Sequence, residues 1–250
     1  MYNIAYCQGI KGEWWSYLKV WRNLIAPLKL DYEIVEEMSR LNPDVISFVE
    51  IDNGSLRARK KDQVKFFSEA LKMQYLIERV KYPTKSFVKL FNHIPILRNQ
   101  CNAIISKSKL ENIKYHYLKC GVKRVLIEAT VDFGTKTTIL LAHLSLGKKT
   151  REKQIREIAN IVNSIEKPVI LMGDFNTFRG EDEIEDLLNK THLQNCYRAG
   201  KDKGNFTYPS YRPNKQLDYI LTSANINVKN YEVLNLNLSD HRPILVDLEV

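Results

Sequence analysis

Apolar residues along this chain gather into runs of strand length. VISFV (45–49), AII (103–105), VLIEATV (125–131), TTILLAHL (137–144), PVILM (168–172), LDYILT (217–222) and PILVDLEV (243–250) are separated by polar stretches. Several alternate apolar with polar, as strands with one buried face do. A shorter run, YNIAY, predicts a first strand at the start of the sequence. Three further stretches carry apolar residues at helical spacing. Residues 31–41 open at Asp31, a good N-cap, and place Ile34, Val35, Met38 and Leu41 on one face. Residues 150–165 open at Thr150 and carry Ile155, Ile158, Ile161, Val162 and Ile165. Residues 181–189 begin with acidic side chains, which suit a helix N-terminus. Many strands with few helices predict a layered α/β fold, two sheets packed face to face with helices outside.

Composition narrows this picture only a little. At 250 residues, 44% hydrophobic and 27% charged, the chain can bury one sizeable core. No Gly/Ser- or Pro-rich linker divides it, so a single domain over residues 1–250 is expected. No apolar run approaches the roughly 20 residues of a membrane-spanning helix. Asn3, a candidate functional residue, lies too near Met1 for an intervening signal peptide, and a cytoplasmic location is expected. Cys7, Cys101, Cys120 and Cys196 form no CxxC pair, so free thiols are expected rather than disulfides or a thiolate metal site. The formal net charge of +9 attracts polyanions such as nucleic acid, anionic lipid or phosphorylated substrates, and equally suits plain solubility.

The chemistry-bearing residues fall at the strand ends. Glu50 ends VISFVE, His143 nearly ends TTILLAHL, and Asp174 and Asn176 follow PVILM in ILMGDFNTF. Asp218 lies early in QLDYIL, Asp240 and His241 precede the last strand, and Asn3 sits in the first. One charged residue at a strand end is ordinary; so many describe a rim loaded with ligands and acid–base groups. Carboxylate and amide oxygens are hard donors that suit Mg²⁺ or Mn²⁺ rather than zinc. The sequence has no HExxH, no Walker loop and no GxSxG. Hard ligands with neutral histidine point to metal-assisted phosphoryl transfer to water.

In this order, YNI, VISFVE, AHL, GDFN, LDYI and SDHRP resemble the endonuclease/exonuclease/phosphatase superfamily of deoxyribonuclease I-like, metal-dependent hydrolases. GDFN and SDHRP, about 65 residues apart, are the specific pair. The resemblance spans nearly the whole chain and implies a four-layer α/β/β/α sandwich. It implies Asn3, Glu50 and Asp240 as metal-site residues. It implies that Asp174 and Asn176 position and activate water and phosphate, and that His241 pairs with Asp218. His143 would hydrogen-bond the phosphate or protonate the leaving group. Asn102, in QCNAIISK, matches the asparagine of the family's GNAILS stretch, which implies either a phosphate contact or a structural role.

Two departures set the chain apart from repair-type members: Ala5 stands where an acid or amide is usual, and His143 is present where those members tend to lack a histidine. The expected function is Mg²⁺-dependent hydrolysis of phosphate esters, most of all a phosphodiesterase or nuclease, with Mn²⁺ as an alternative ion. Phospholipid or sphingolipid diesterase and phosphomonoesterase activities stay open, and a non-catalytic binding module is disfavoured because every chemistry position is filled. Trp14, Trp15 and Trp21, in GEWWSYLKVWRNLIAP with Lys11, Lys19 and Arg22, either cover the sheet or form a rim that meets bases or a lipid surface. Arg212 either clamps a phosphate oxygen or is a surface arginine. The run RARKK, Arg57 to Lys61, reads as a solvated face, and His93, His116 and His192 as structural or surface residues.

Overall fold

The computed structural model describes residues 1–9, 26–81, 99–166, 168–199 and 204–250. Trp14, Trp15, Trp21, Lys11, Lys19, Arg22 and His93 lie outside the described residues. The first sheet has the order β1–β2–β4–β3, formed by β1 (Tyr2–Asn3), β2 (Val45–Asp52), β4 (Gln100–Ser106) and β3 (Tyr75–Val80). The second has the order β5–β6–β7–β8–β10–β9: β5 (Glu111–Tyr117), β6 (Val125–Asp132), β7 (Lys136–His143), β8 (Val169–Asp174), β10 (Asp218–Thr222) and β9 (Gln194–Asn195). Strands β11 (Asn227–Val233) and β12 (Ile244–Glu249) pair with each other. Ile244 and Met1 exchange backbone hydrogen bonds of 2.9 Å in both directions, which joins β12 to the β1 edge of the first sheet.

Period-two alternation sorts the apolar side chains into three layers. Val125, Ile127, Ala129 and Val131 of β6 face the gap between sheets, where they meet Val49 and Ile104 of the first sheet. Leu126, Leu140 and Leu171 face the other way, against Ile155, Ile158 and Val162 of α3 (Lys148–Asn163) and Leu187 of α4 (Glu185–Thr191). On the far side, Ile46, Phe48, Cys101, Ala103 and Ile105 pack on Ile34 and Met38 of α1 (Leu28–Leu41) and Val64 and Phe67 of α2 (Gln63–Ala70). Each buried Val, Leu, Ile, Phe or Met among these contributes ~1.5–3 kcal/mol by leaving water. The expected α/β/β/α layering is the one observed.

Several local expectations need correction. YNIAY is not all strand. Only Tyr2 and Asn3 pair, with Phe48 and Val49, and the chain then turns through Ala5, Tyr6 and Cys7, all at positive φ. Asp31 does not cap α1. The helix starts at Leu28 behind Pro27, and Asp31 accepts hydrogen bonds from Lys61 (2.9 Å) and Gln63 (3.2 Å) instead. Helix α3 begins at Lys148, ahead of Thr150, and 181–189 is a 3-10 turn (Glu181–Ile184) leading into α4. The run RARKK is not wholly solvated. Arg57 is buried, ion-paired to Asp52 at 3.2 Å, with its guanidinium 4.0 Å from the Tyr6 ring centre. His116 pairs with Glu128, and His192 ends α4 in a left-handed conformation. All four cysteines are free, and no described helix is long and apolar enough to cross a membrane.

Candidate active site

Strand register explains why the polar residues of three separate motifs meet. Strands β7 and β8 run parallel with His143 beside Asp174, and β8 and β10 run antiparallel with Asp174 beside Asp218. Directly paired residues share a face. This row continues the inward-facing series Leu141, Met172 and Ile220, so it closes one end of the inter-sheet core. Gly173 lets that row form. A Cβ there would lie 1.9 Å from the Ala142 carbonyl oxygen, and its φ of 152° disfavours any side chain. The glycine in ILMGDFNTF is thus what allows β8 to press against β7 while handing Asp174 to the site.

Asp174 is held at both oxygens. Oδ1 accepts the Asn176 backbone N–H at 3.0 Å, and Oδ2 accepts Asn3 Nδ2 at 3.0 Å. Asn176, at φ 53°, turns its side-chain amide back to the Leu144 carbonyl at 2.9 Å. Asn3 Oδ1 meanwhile accepts the Ala5 N–H at 3.1 Å, so the left-handed turn after β1 orients Asn3. Burial pushes Asp174 up to about 6; Asp218 and Glu50 add to this, while His241 and Lys123 oppose it. His241 Nδ1 lies 2.7 Å from Asp218 Oδ2, and its Nε2 lies 4.0 Å from Asp174 Oδ2. Burial disfavours the charged ring, but the Asp218 carboxylate, helped by Asp174 and Asp240, outweighs it and raises His241 to about 10. The Tyr208 ring packs 5.1 Å from the imidazole.

The first sheet faces this row with Glu50, whose φ of 57° belongs to a bulge between Phe48 and Ile51. Bulges re-aim side chains, and this one turns Glu50 into the site. Asn102 accepts the Glu50 backbone N–H at 3.4 Å, which supports the bulge. Asp240 carries its carboxylate 3.2 Å from Ser239 Oγ, and that hydroxyl also meets the Asn3 carbonyl oxygen at 2.8 Å. Burial raises Asp240, and nearby Glu50 raises it further. Arg212 is exposed, and its side chain makes no hydrogen bond or ion pair among the described residues. It sits on the 204–216 segment, which meets the site through Tyr208 against His241 and through the Ser210 N–H, donated to the Asp240 carbonyl oxygen at 2.8 Å.

Two lysines join the site without any sequence signal. Lys81, immediately after β3, is buried and places Nζ 3.2 Å from Glu50 Oε1. Lys123, just before β6, places Nζ 3.6 Å from the same oxygen and also contacts His143 Nε2. Burial raises Glu50, but Lys81 and Lys123 overcome this and hold it at about 2. Burial lowers Lys81 to about 8 even with Glu50 beside it. Burial, then Lys123 and Lys81, hold His143 well below the ordinary histidine value, so its ring is neutral. An ammonium only donates, so Nε2 accepts from Lys123 and Nδ1 carries the proton. Among 38 lysines and arginines, nothing in spacing singles these two out.

A family model of the endonuclease/exonuclease/phosphatase family matches residues 12–241. The chain belongs to this family. Proteins of the family hydrolyse phosphate esters and are generally dependent on divalent metal. The fold is shared with several solved structures. An endonuclease/exonuclease/phosphatase family protein from Leptotrichia buccalis is 23% identical, with 89% of this chain and 93% of that one covered at a TM-score of 0.70. A mannosyl-6-phosphatase from Bacteroides thetaiotaomicron is 18% identical, with 89% and 91% covered and a TM-score of 0.68. The human Nocturnin catalytic domain, with bound sulfate, is 20% identical, with 89% and 87% covered and a TM-score of 0.66. No curated protein matches the sequence.

Proposed function

We propose that this chain is a Mg²⁺-dependent phosphodiesterase, with Mn²⁺ as an alternative ion and nucleic acid as the favoured substrate. The observation that carries this reading is the convergence of His143, Asp174 and Asp218 of the second sheet, with His241 from the loop before β12, on Asn3 and Glu50 of the first. The net charge of +9 supports a polyanionic substrate. Asn3, Glu50 and Asp240 would hold the ion. Their oxygens are hard donors, and Glu50 Oε1 already gathers two ammonium groups, which marks it as a place that stabilises positive charge. When bound, the ion supplies charge neutralisation at the phosphoryl oxygens.

The chain's own residues supply the rest. Asp174, at about 6, is ionised at neutral pH yet basic enough to take a proton from an attacking water. Asn3 and the Asn176 N–H fix its orientation. His241, kept cationic by Asp218, stabilises negative charge on the phosphoryl group. Neutral His143 donates or accepts hydrogen bonds there rather than acting as an imidazolium acid. Asn102 acts through the Glu50 bulge, and Arg212 remains a candidate for outer phosphate contact. Hydrolysis of bis-p-nitrophenyl phosphate with added Mg²⁺ or Mn²⁺ tests the proposal. Turnover abolished by EDTA and restored by the ion is expected; turnover indifferent to EDTA would sink it.

A further inference from the structure

Resting on that reading, the arrangement around Glu50 has a consequence for substrate binding. Four carboxylates converge on the site: Glu50, Asp174, Asp218 and Asp240. A divalent ion would offset only part of that carboxylate charge, and what is left would repel an anionic phosphate ester. Lys81 and Lys123 are two ammonium groups that reach into this cluster. Both reach the same atom, Glu50 Oε1, at 3.2 and 3.6 Å. That is an oxygen a divalent ion would also use, so ion and lysines compete for it.

We infer that Lys81 and Lys123 are the substrate-phosphate ligands of this site, parked on Glu50 and handed to a non-bridging phosphate oxygen when a divalent ion takes the carboxylate. The geometry supports the handover for each lysine separately. Lys81 is 2% exposed, a costly place for an ammonium whose only purpose is one ion pair. It is held in readiness by Tyr6, whose hydroxyl oxygen lies 2.6 Å from Nζ and whose hydroxyl hydrogen goes to Gln100 Oε1 at 3.0 Å. The Tyr6 ring is itself held by the buried Arg57 guanidinium and by its left-handed backbone. Tyr6 is therefore a positioning residue. Lys123 is 22% exposed at its side chain and touches both Glu50 and His143, so it spans the two sheets at the mouth of the site.

The handover makes opposite demands on two ligands. Removing a lysine should tighten binding of the bare ion and weaken binding of phosphate. Mn²⁺ binding is measured by calorimetry on the full chain, and inorganic phosphate binding is measured in saturating Mn²⁺. For Lys123→Gln, Mn²⁺ should bind several-fold more tightly because a like charge has gone. Phosphate should bind about tenfold or more weakly, as loss of a hydrogen bond to a charged group does. Lys81→Gln should do the same, and Lys123→Gln carries the test if the buried variant does not fold. Tyr6→Phe should raise KM for bis-p-nitrophenyl phosphate with little change in kcat or in Mn²⁺ affinity. Unchanged phosphate affinity, or weaker Mn²⁺ binding, in Lys123→Gln overturns the handover alone. Failure of the unaltered chain to bind Mn²⁺ overturns the metal reading and the handover with it.

Discussion

Asp174 shows how tightly single atoms are committed here. Its side chain looks replaceable by the isosteric asparagine, but each of its oxygens already accepts from an N–H. An asparagine would turn an NH₂ against Asn3 Nδ2 or against the Asn176 N–H. Asp174→Asn should therefore lose about a hundredfold or more in rate and also ~1–3 kcal/mol of stability. Steady-state kinetics and urea melts report the two losses separately. The same residue sets the pH dependence. Activity needs Asp174 ionised and His241 protonated. It should rise with pH through about 6 as Asp174 loses its proton, and fall through about 10 as His241 loses its own. For stability the sign follows His241: its raised value gives a contribution that is whole below the ordinary histidine range and is lost as pH climbs through about 10. A kcat/KM profile at fixed metal activity, flat between pH 5 and 7, would remove Asp174 as the base.

At the scale of elements, the site depends on register more than on any loop. His143, Asp174 and Asp218 are neighbours because β7, β8 and β10 pair in one frame, and a one-residue slip would turn the row away from the inter-sheet gap. Gly173 holds that frame. Gly173→Ala should cost about 3 kcal/mol or more, through both the clash with the Ala142 carbonyl and the positive φ. Gly180 is a control: its φ is 98°, but a Cβ there meets nothing within 4 Å. Gly180→Ala should cost only the conformational strain, about 1 kcal/mol. Equal losses in denaturant melts of the two variants would show that the close approach of β7 and β8 is unimportant.

Across the whole molecule, positive charge is the property that bears on the substrate. Under the nucleic-acid reading, binding to a DNA oligonucleotide should release counterions and weaken at least ~tenfold between about 50 and 200 mM salt, which corresponds to two or more neutralised phosphates. Affinity measured by fluorescence anisotropy across that range checks it. Binding that ignores salt would favour a small soluble phosphate ester. The two sheets act together in this, since neither alone carries a complete set of site residues.

Much of this protein was legible along the chain. Long apolar runs fall on central strands, because a strand with both faces covered must be apolar throughout. The edge strands β3, β5 and β11 and the short helix α2 escaped, because exposed faces place little demand on residue type. The motif residues were legible for a related reason: a carboxylate or histidine at the end of an apolar strand stands out against its surroundings. Asn3, Glu50, His143, Asp174, Asp218, Asp240 and His241 could thus be named before their distances were known. Tertiary structure alone decided the rest. It brought Lys81 and Lys123 to Glu50 and Tyr6 to Lys81 from separate stretches, buried Arg57 against Asp52, and gave Glu50 its bulge. Lysines and arginines are common in this chain and mark nothing by themselves. Their role depends on which buried charge each one faces, and only the packing of the two sheets sets that.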